Sequence, residues 1–229
     1  DLRLGEELER IEGDANGSAV AVHTKGGERI EAQYVGLTAG VRPNIAVCAG
    51  SSIETGRGIL VDDRLRTSHA DVFAAGDCAE IQRPGVERNT IESVWYTGRF
   101  QGERAAANLL GDDEPYDPGI WFNSAKFIDL EYQVYGDVPA AGVPLAGRGE
   151  SVFYKAPDGR TSIRICHRDG AVTGFNLMGT RFRQDVCHRW IANRATLSHV
   201  LDNLGDAAFD AEFSKKHHRA VRAAAGATA

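Results

Sequence analysis

The chain has 229 residues, 42% hydrophobic and 25% charged, enough apolar material for one large or two modest globular domains. Its formal net charge of −6 speaks against a nucleic-acid binder, and no apolar stretch reaches the length of a membrane span. Cys48, Cys78, Cys166 and Cys187 are widely spaced and form no C-x-x-C pair, so reduced thiols in a cytoplasmic setting are expected, not a disulfide framework or a zinc knuckle.

Residues 19–24 are β-rich and lead into a Gly26-Gly27 turn. Glu28 to Glu31 is expected to return as a short strand, and Tyr34 to Thr38 to form a third, more apolar one, before Gly40 and Pro43 break the pattern. Gly58 to Asp62 reads as another short strand. Val72 to Ala75 is an apolar run too short for a helix, which suits a strand covered on both faces and ending on Gly76-Asp77. Asn89 stands three residues before Glu92, an approximate capping box that starts a helix near Thr90. Its expected inner face is Ile91, Val94, Trp95, Gly98, Gly102, Ala105, Ala106 and Leu109, with Gly111 as the stop.

Asp112 to Gly119 reads as a linker, and beyond it the pattern changes. Leu130, Tyr132 and Val134 alternate with more polar neighbours until Gly136, and Pro139 to Gly149 is loop-like. Val152–Tyr154 and Ser162–Cys166 flank a Pro157-Asp158-Gly159 turn. Asp169-Gly170 then turns the chain into Val172–Met178, which makes an antiparallel meander. Two helices follow, near Gln184–Asn193 and Leu197–Leu204, with Thr196 as N-cap of the second and Gly205 as its stop. Lys215 to Arg219 is a basic run, read as the solvated end of a helix.

Gly76-Asp77 raises the chemical question. A glycine after a strand lets another group approach the backbone, and an aspartate there can accept hydrogen bonds from ligand hydroxyls. The same dipeptide also serves as an ordinary turn whose aspartate caps the next segment. The residues alone leave both readings open.

The ordered motifs TAGVRPN (38–44), GILVDDRLRTS (58–68) and ADVFAAGDCAE (70–80) resemble the flavoprotein pyridine nucleotide–disulfide oxidoreductase family. QGERAAANLLG (101–111) fits the family's next helix, and WFNSAKFIDLEYQVYG (121–136) looks like the start of the third domain in its ferredoxin-reductase-like and apoptosis-inducing-factor-like branch. The resemblance implies an α+β, partly α/β architecture: an incomplete FAD/NAD(P)-binding Rossmann-type lobe, then a small antiparallel β-meander with C-terminal helices. Expected divisions are residues 1–46 as the end of an NAD(P)H-binding domain, 47–115 as part of an FAD-binding domain, and 116–229 as an interface or dimerisation domain.

By motif, the resemblance assigns Asp77 to a hydroxyl of the FAD ribityl chain and lets that chain pass close to Gly76. Thr38, Ala39 and Gly40 would form the tight turn near FAD where the chain leaves the nucleotide domain. Glu92, Ser93, Val94 and Trp95 would lie on the flavin side of the following helix, although Trp95 also reads as a core aromatic. Where the branch carries a flavin-side tryptophan in a Phe-Trp-Ser motif, this chain has Asn123, with Trp121 two positions earlier.

No G-x-G-x-x-G turn and no C-x-x-x-x-C pair occurs, and the chain begins at Asp1. The expectation is therefore the C-terminal part of an FAD-dependent oxidoreductase, carrying electrons from NAD(P)H through flavin to an iron–sulfur protein, a quinone or a small molecule. By itself such a part would hold FAD weakly or not at all. The other reading is a non-catalytic interface module that forms a homodimer. Cys78, beside the FAD motif, has an open role.

Overall fold

The computed structural model describes residues 1–82, 90–139, 149–210, 212 and 216–226. The chain divides into two compact units, Asp1–Arg42 and Pro43–Ala229.

In the first unit, β1 (Leu8–Gly13), β2 (Ala19–Thr24) and β3 (Arg29–Glu31) form an antiparallel sheet in that order. Sequence reading found β2 and β3 but missed β1. The signal for it was the Asn16-Gly17 pair, because the carboxylate of Asp14 accepts the Asn16 and Ser18 amides and turns β1 into β2. Gly27, at a φ of +86°, makes the next turn. The expected strand over Tyr34–Thr38 does not form: among the described residues it joins no sheet, and Tyr34 and Leu37 stay exposed. An apolar run without a neighbouring strand has nowhere to place its amides.

Glu12 on β1 sits between His23 and Arg29, accepting from the guanidinium at 2.9 and 3.0 Å and lying 2.6 Å from the imidazole. The Arg29 hydrogen bond, aided by His23, lowers the Glu12 carboxyl to about 2.

The second unit begins with β4 (Ile59–Val61), which pairs in parallel with β5 (Ala79–Ile81). The expected strand over Val72–Ala75 is corrected. Phe73 makes a single bridge to Arg66, and only Ala74 of the run is fully buried. The extended chain then enters a 3-10 turn over Gly76–Cys78 before β5. The run thus forms one arm of a narrow ribbon, in which Ala74 N–H donates to Leu65 O and Thr67 N–H to Val72 O.

Helix α1 spans Trp95–Leu109, five residues later than the expected start at Thr90. Asn89 lies outside the described residues, and Val94, with extended φ of −132°, precedes the helix without a side-chain cap. Gly111, at φ +104°, ends it as expected. The buried face also differs from the expected one: it carries Thr97, Gln101, Ala105 and Asn108, while Trp95 and Leu109 are mostly exposed. Backbone hydrogen bonding explains the roll. Asn108 donates to the carbonyls of Arg64 and Glu114 and accepts the Glu114 amide, all at 2.9 Å. Three hydrogen bonds satisfy the buried Asn108 amide, which outweighs the small apolar side chains on the other flank.

The largest sheet has the order β6-β7-β10-β9-β8 and is antiparallel throughout. Its strands are β6 (Phe122–Phe127), β7 (Leu130–Gly136), β8 (Glu150–Lys155), β9 (Ser162–Arg168) and β10 (Ala171–Met178). Asp169 and Gly170 both take positive φ, which suits the two-residue hairpin turn joining β9 to β10. One sheet face, including Ile163, Ile165, Phe175 and Leu177, is buried under α2 (Gln184–Ala192), α3 (Leu197–Asp202) and α4 (His218–Gly226) through Val186, Trp190, Val200 and Val221.

Thr196 caps α3 as expected, accepting the His199 amide at 3.2 Å. Gly205 is not its stop: α3 ends at Asp202 with Asn203 as its C-cap, and Gly205 lies within a 3-10 turn over Leu204–Ala207. The basic run stands at the start of α4, with Lys215 outside the described residues; the loop-like Pro139–Gly149 stretch is likewise described only at its two ends.

Two outcomes test this packing. Asn108→Ala removes three hydrogen bonds to main-chain groups of Arg64 and Glu114, so urea unfolding should show a loss of about 2–4 kcal/mol from the second unit. Glu12 has a folded pKa below its unfolded value, so its contribution is complete above pH 4.5 and is lost as pH falls towards about 2. An NMR titration should therefore find Glu12 ionised at pH 3 in the parent, and Arg29→Ala should raise its midpoint.

Candidate functional site

The sequence motif around Gly76 forms a turn docked on a helix. Gly76 has a φ of +80°, and its amide donates to Gln101 Oε1 at 2.7 Å. The two backbones come so close that a Cβ on Gly98 would lie 3.4 Å from Gly76 Cα. A Cβ at either position would meet the other backbone at contact distance, and Gly76 is favoured as glycine by its positive φ. Asp77 follows at the exposed surface, with no hydrogen-bond or ion-pair partner among the described residues. Cys78 is half-buried, its thiol 3.6 Å from the Ala75 carbonyl.

The segment expected to face the flavin has no regular structure over 91–94, its Val94 amide donating to the Glu92 carbonyl at 2.9 Å, and ends where α1 begins. Val94 O accepts the Gly98 amide, which leaves the first-turn amides pointing out of an uncapped helix end. Ser93 is exposed and Val94 half-buried. Trp95 is 70% exposed, which overturns its reading as a core aromatic; its ring stands edge-on to Tyr96. Tyr96 and Phe100 in turn pack on Phe122 of β6.

Glu92, Ser93 and Val94 line a cleft of about 760 Å³ together with Trp121, while Asp77 and Trp95 lie outside its lining. Asn123 instead donates to the Tyr132 hydroxyl at 2.8 Å, along the sheet. Thr38, Ala39 and Gly40 belong to the first unit, where they are exposed, outside regular structure, with Gly40 at φ +83°.

Sequence reading missed the two residues that hold this arrangement, Gln101 and Asn108. Their only signal was a polar side chain recurring on one flank of an otherwise small-residue helix, which periodicity of apolar residues does not detect. Among the described residues no group of three or more His, Cys, Asp or Glu could hold a metal ion, and no helix is long and apolar enough to cross a membrane.

Residues 1–102 match the pyridine nucleotide-disulphide oxidoreductase family, whose members use FAD and NAD(P)H. The chain is 31% identical over 156 residues to the anthranilate 1,2-dioxygenase system ferredoxin–NAD(+) reductase component of Burkholderia cepacia, covering 66% of this chain and 37% of the relative. It is 32% identical over 179 residues to the nitric oxide reductase FlRd-NAD(+) reductase of Salmonella typhimurium, covering 76% and 45%. The chain thus spans less than half the length of these curated relatives. Among solved structures, the NAD-dependent persulfide reductase of A. fulgidus superposes with a TM-score of 0.72 at 22% identity, over 97% of this chain and 43% of that one. At that identity the likeness shows the fold alone.

Burial sets the reactivity of the thiols. Cys48, Cys166 and Cys187 are buried, and desolvation raises the thiol pKa values of Cys166 and Cys187. Iodoacetamide at neutral pH followed by peptide mass spectrometry should therefore label Cys78 first. Labelling of Cys187 ahead of Cys78 would contradict the packing.

Proposed function

We propose that this chain supplies the C-terminal part of an FAD-dependent NAD(P)H oxidoreductase that delivers electrons to a ferredoxin-type iron–sulfur protein. The observation that carries the reading is the glycine-on-glycine docking of the Gly76 turn against α1, which presents an unpartnered Asp77 at the surface. Relatives named as a ferredoxin–NAD(+) reductase component and an FlRd-NAD(+) reductase support the choice of a redox-protein acceptor.

The donor set fits FAD. A carboxylate acceptor suits the hydroxyls of a ribityl chain, and an uncapped helix end suits negative charge on a flavin ring. When bound, FAD accepts electrons from NAD(P)H and passes them on. The protein's part is to hold and orient. Asp77 would accept a ribityl hydroxyl, Gly76 would leave room for the chain to pass, and the amides of Trp95 and Tyr96 would favour negative charge on the ring. Thr38, Ala39 and Gly40 form the turn by which the nucleotide domain leaves the FAD site. Domain limits at 1–46, 47–115 and 116–229 accompany this reading.

A second reading is favoured by exposed apolar groups at the β6–β7 hairpin: Phe127 and Ile128 are 61% and 95% exposed. A sheet with its own core and such a tip suits a non-catalytic interface module that pairs with a second copy. Sedimentation equilibrium distinguishes the two: a dimer that Ile128→Ser converts to monomer would support this module.

The flavin reading is tested in two steps. The 229-residue chain mixed with FAD should elute colourless from gel filtration, whereas a chain extended with the two missing Gly-rich fingerprints should elute yellow and bleach with NADH or NADPH. In that extended protein Asp77→Ala should weaken FAD binding about tenfold or more, the value of one charge-assisted hydrogen bond. Unchanged flavin content would remove Asp77 from the site.

A further inference from the structure

Helix α4 is held on the C-terminal sheet by different means at its middle and at its start. In the middle, Val221 is fully buried in the core with Ile163 and Leu204. Arg222, one residue on, donates to the carbonyls of Leu201 and Asp202 at 2.7 Å each, which satisfies the open C-terminal end of α3. Its guanidinium also lies 3.3 Å from the Asp202 carboxylate.

The start of α4 carries charge of one sign. Lys216, His217, His218 and Arg219 follow one another, and no acidic residue stands in the first turn. Cations there oppose the positive end of the helix dipole. His217 Nδ1 lies 3.4 Å from the Tyr154 hydroxyl of β8. His218 is half-buried, and its ring lies on the backbone of the 3-10 turn, where a Cβ on Gly205 would be 3.5 Å from Cε1. Beside the ring is a void of about 20 Å³, room for a single water, lined by Ile163, Phe182, Leu204 and Val221 and by the side chain of Arg181.

Nothing in these surroundings welcomes a proton on that ring. Burial, then the charges of Lys216, Arg222 and His217, hold the His218 imidazole below its usual value. Of the carboxylates on neighbouring elements, Asp202 is taken by Arg222 and Glu131 by Arg181, while Asp206 and Asp210 are exposed. On β8, Tyr154 and the cation Lys155 stand by His217. The docked helix therefore binds a proton at His218 less readily than a released one. Docking is complete above the ordinary imidazole value of 6.5 and weakens as pH falls through it.

We infer that α4 is an acid-released clasp: a proton on His218 sets a further cation against Gly205 and the void, and α4 parts from α3 and β8 while the sheet stays folded under α2 and α3. The device lies within the second unit and is independent of the flavin reading.

Amide hydrogen exchange of the 229-residue chain, followed by NMR and corrected for the intrinsic effect of pH, tests it. The Val221 amide, which donates to His217 O at 3.0 Å, reports on α4, and the fully buried Ile165 of β9 reports on the sheet. From about pH 8 to about pH 5, protection at Val221 should fall about threefold or more while that at Ile165 holds. The loss should lie in the pH range over which the His218 ring itself titrates, a comparison that decides the matter even where a substitution loosens the helix. His218→Gln should remove the pH dependence, and His217→Gln should keep it. The inference is overturned if Val221 protection does not change with pH, if Ile165 loses protection in parallel, if the loss falls outside the His218 titration, or if His217→Gln rather than His218→Gln removes it.

Discussion

The second unit depends on the pairing of buried side-chain amides on α1 with main-chain groups of the loops around it. Gln101 holds the Gly76 amide at one end, and Asn108 holds Arg64, Glu114 and the chain leaving the helix at the other. Unpaired, those groups would be dehydrated at a cost larger than the burial of a few alanines returns. The amides therefore fix the roll of the helix about its axis. Its roll in turn decides that Gly98 meets Gly76, that Ala105 enters the core with Leu65 and Ala79, and that Trp95 points outward.

The C-terminal sheet is governed by a different constraint. Its core of Ile163, Ile165, Phe175 and Leu177 against three helices would tolerate several registers, since the side chains are of similar size. Glycine contacts remove that freedom. Gly136 and Gly174 stand opposite each other in the β7–β10 pairing, where any side chain would strike a carbonyl, and a register shift between Val172 and Gly174 marks the pairing of β10 with β9.

Local signals were read well where the chemistry is local. The strand over Leu130 to Gly136, the Asp169-Gly170 hairpin and the Thr196 cap each involve neighbours along the chain, and the structure contains all three, although the strand buries Gln133 and Tyr135 while Leu130, Tyr132 and Val134 are only half-buried. The 3-10 turn over Gly76–Cys78 follows an apolar run in one short stretch, so the stretch that carries the family resemblance was legible as local sequence. Errors occurred where the partner is distant. Tyr34–Thr38 is as apolar as a strand but has no neighbour to pair with, and Val72–Ala75 pairs through one bridge only. The face of α1 was misread because apolar periodicity carries no information about amides that bond to loops 6 to 44 residues away.

The sequence by itself determined the resemblance to a flavoprotein family, the C-terminal meander with its following helices, and a glycine and a carboxylate side by side at Gly76-Asp77. Those properties are written in residue types and short spacings. Tertiary structure decided which way α1 faces and that Gly76 rests on Gly98. Each of these depends on closing a long loop so that a buried polar group or a crowded backbone finds one particular partner, and no local pattern encodes that choice.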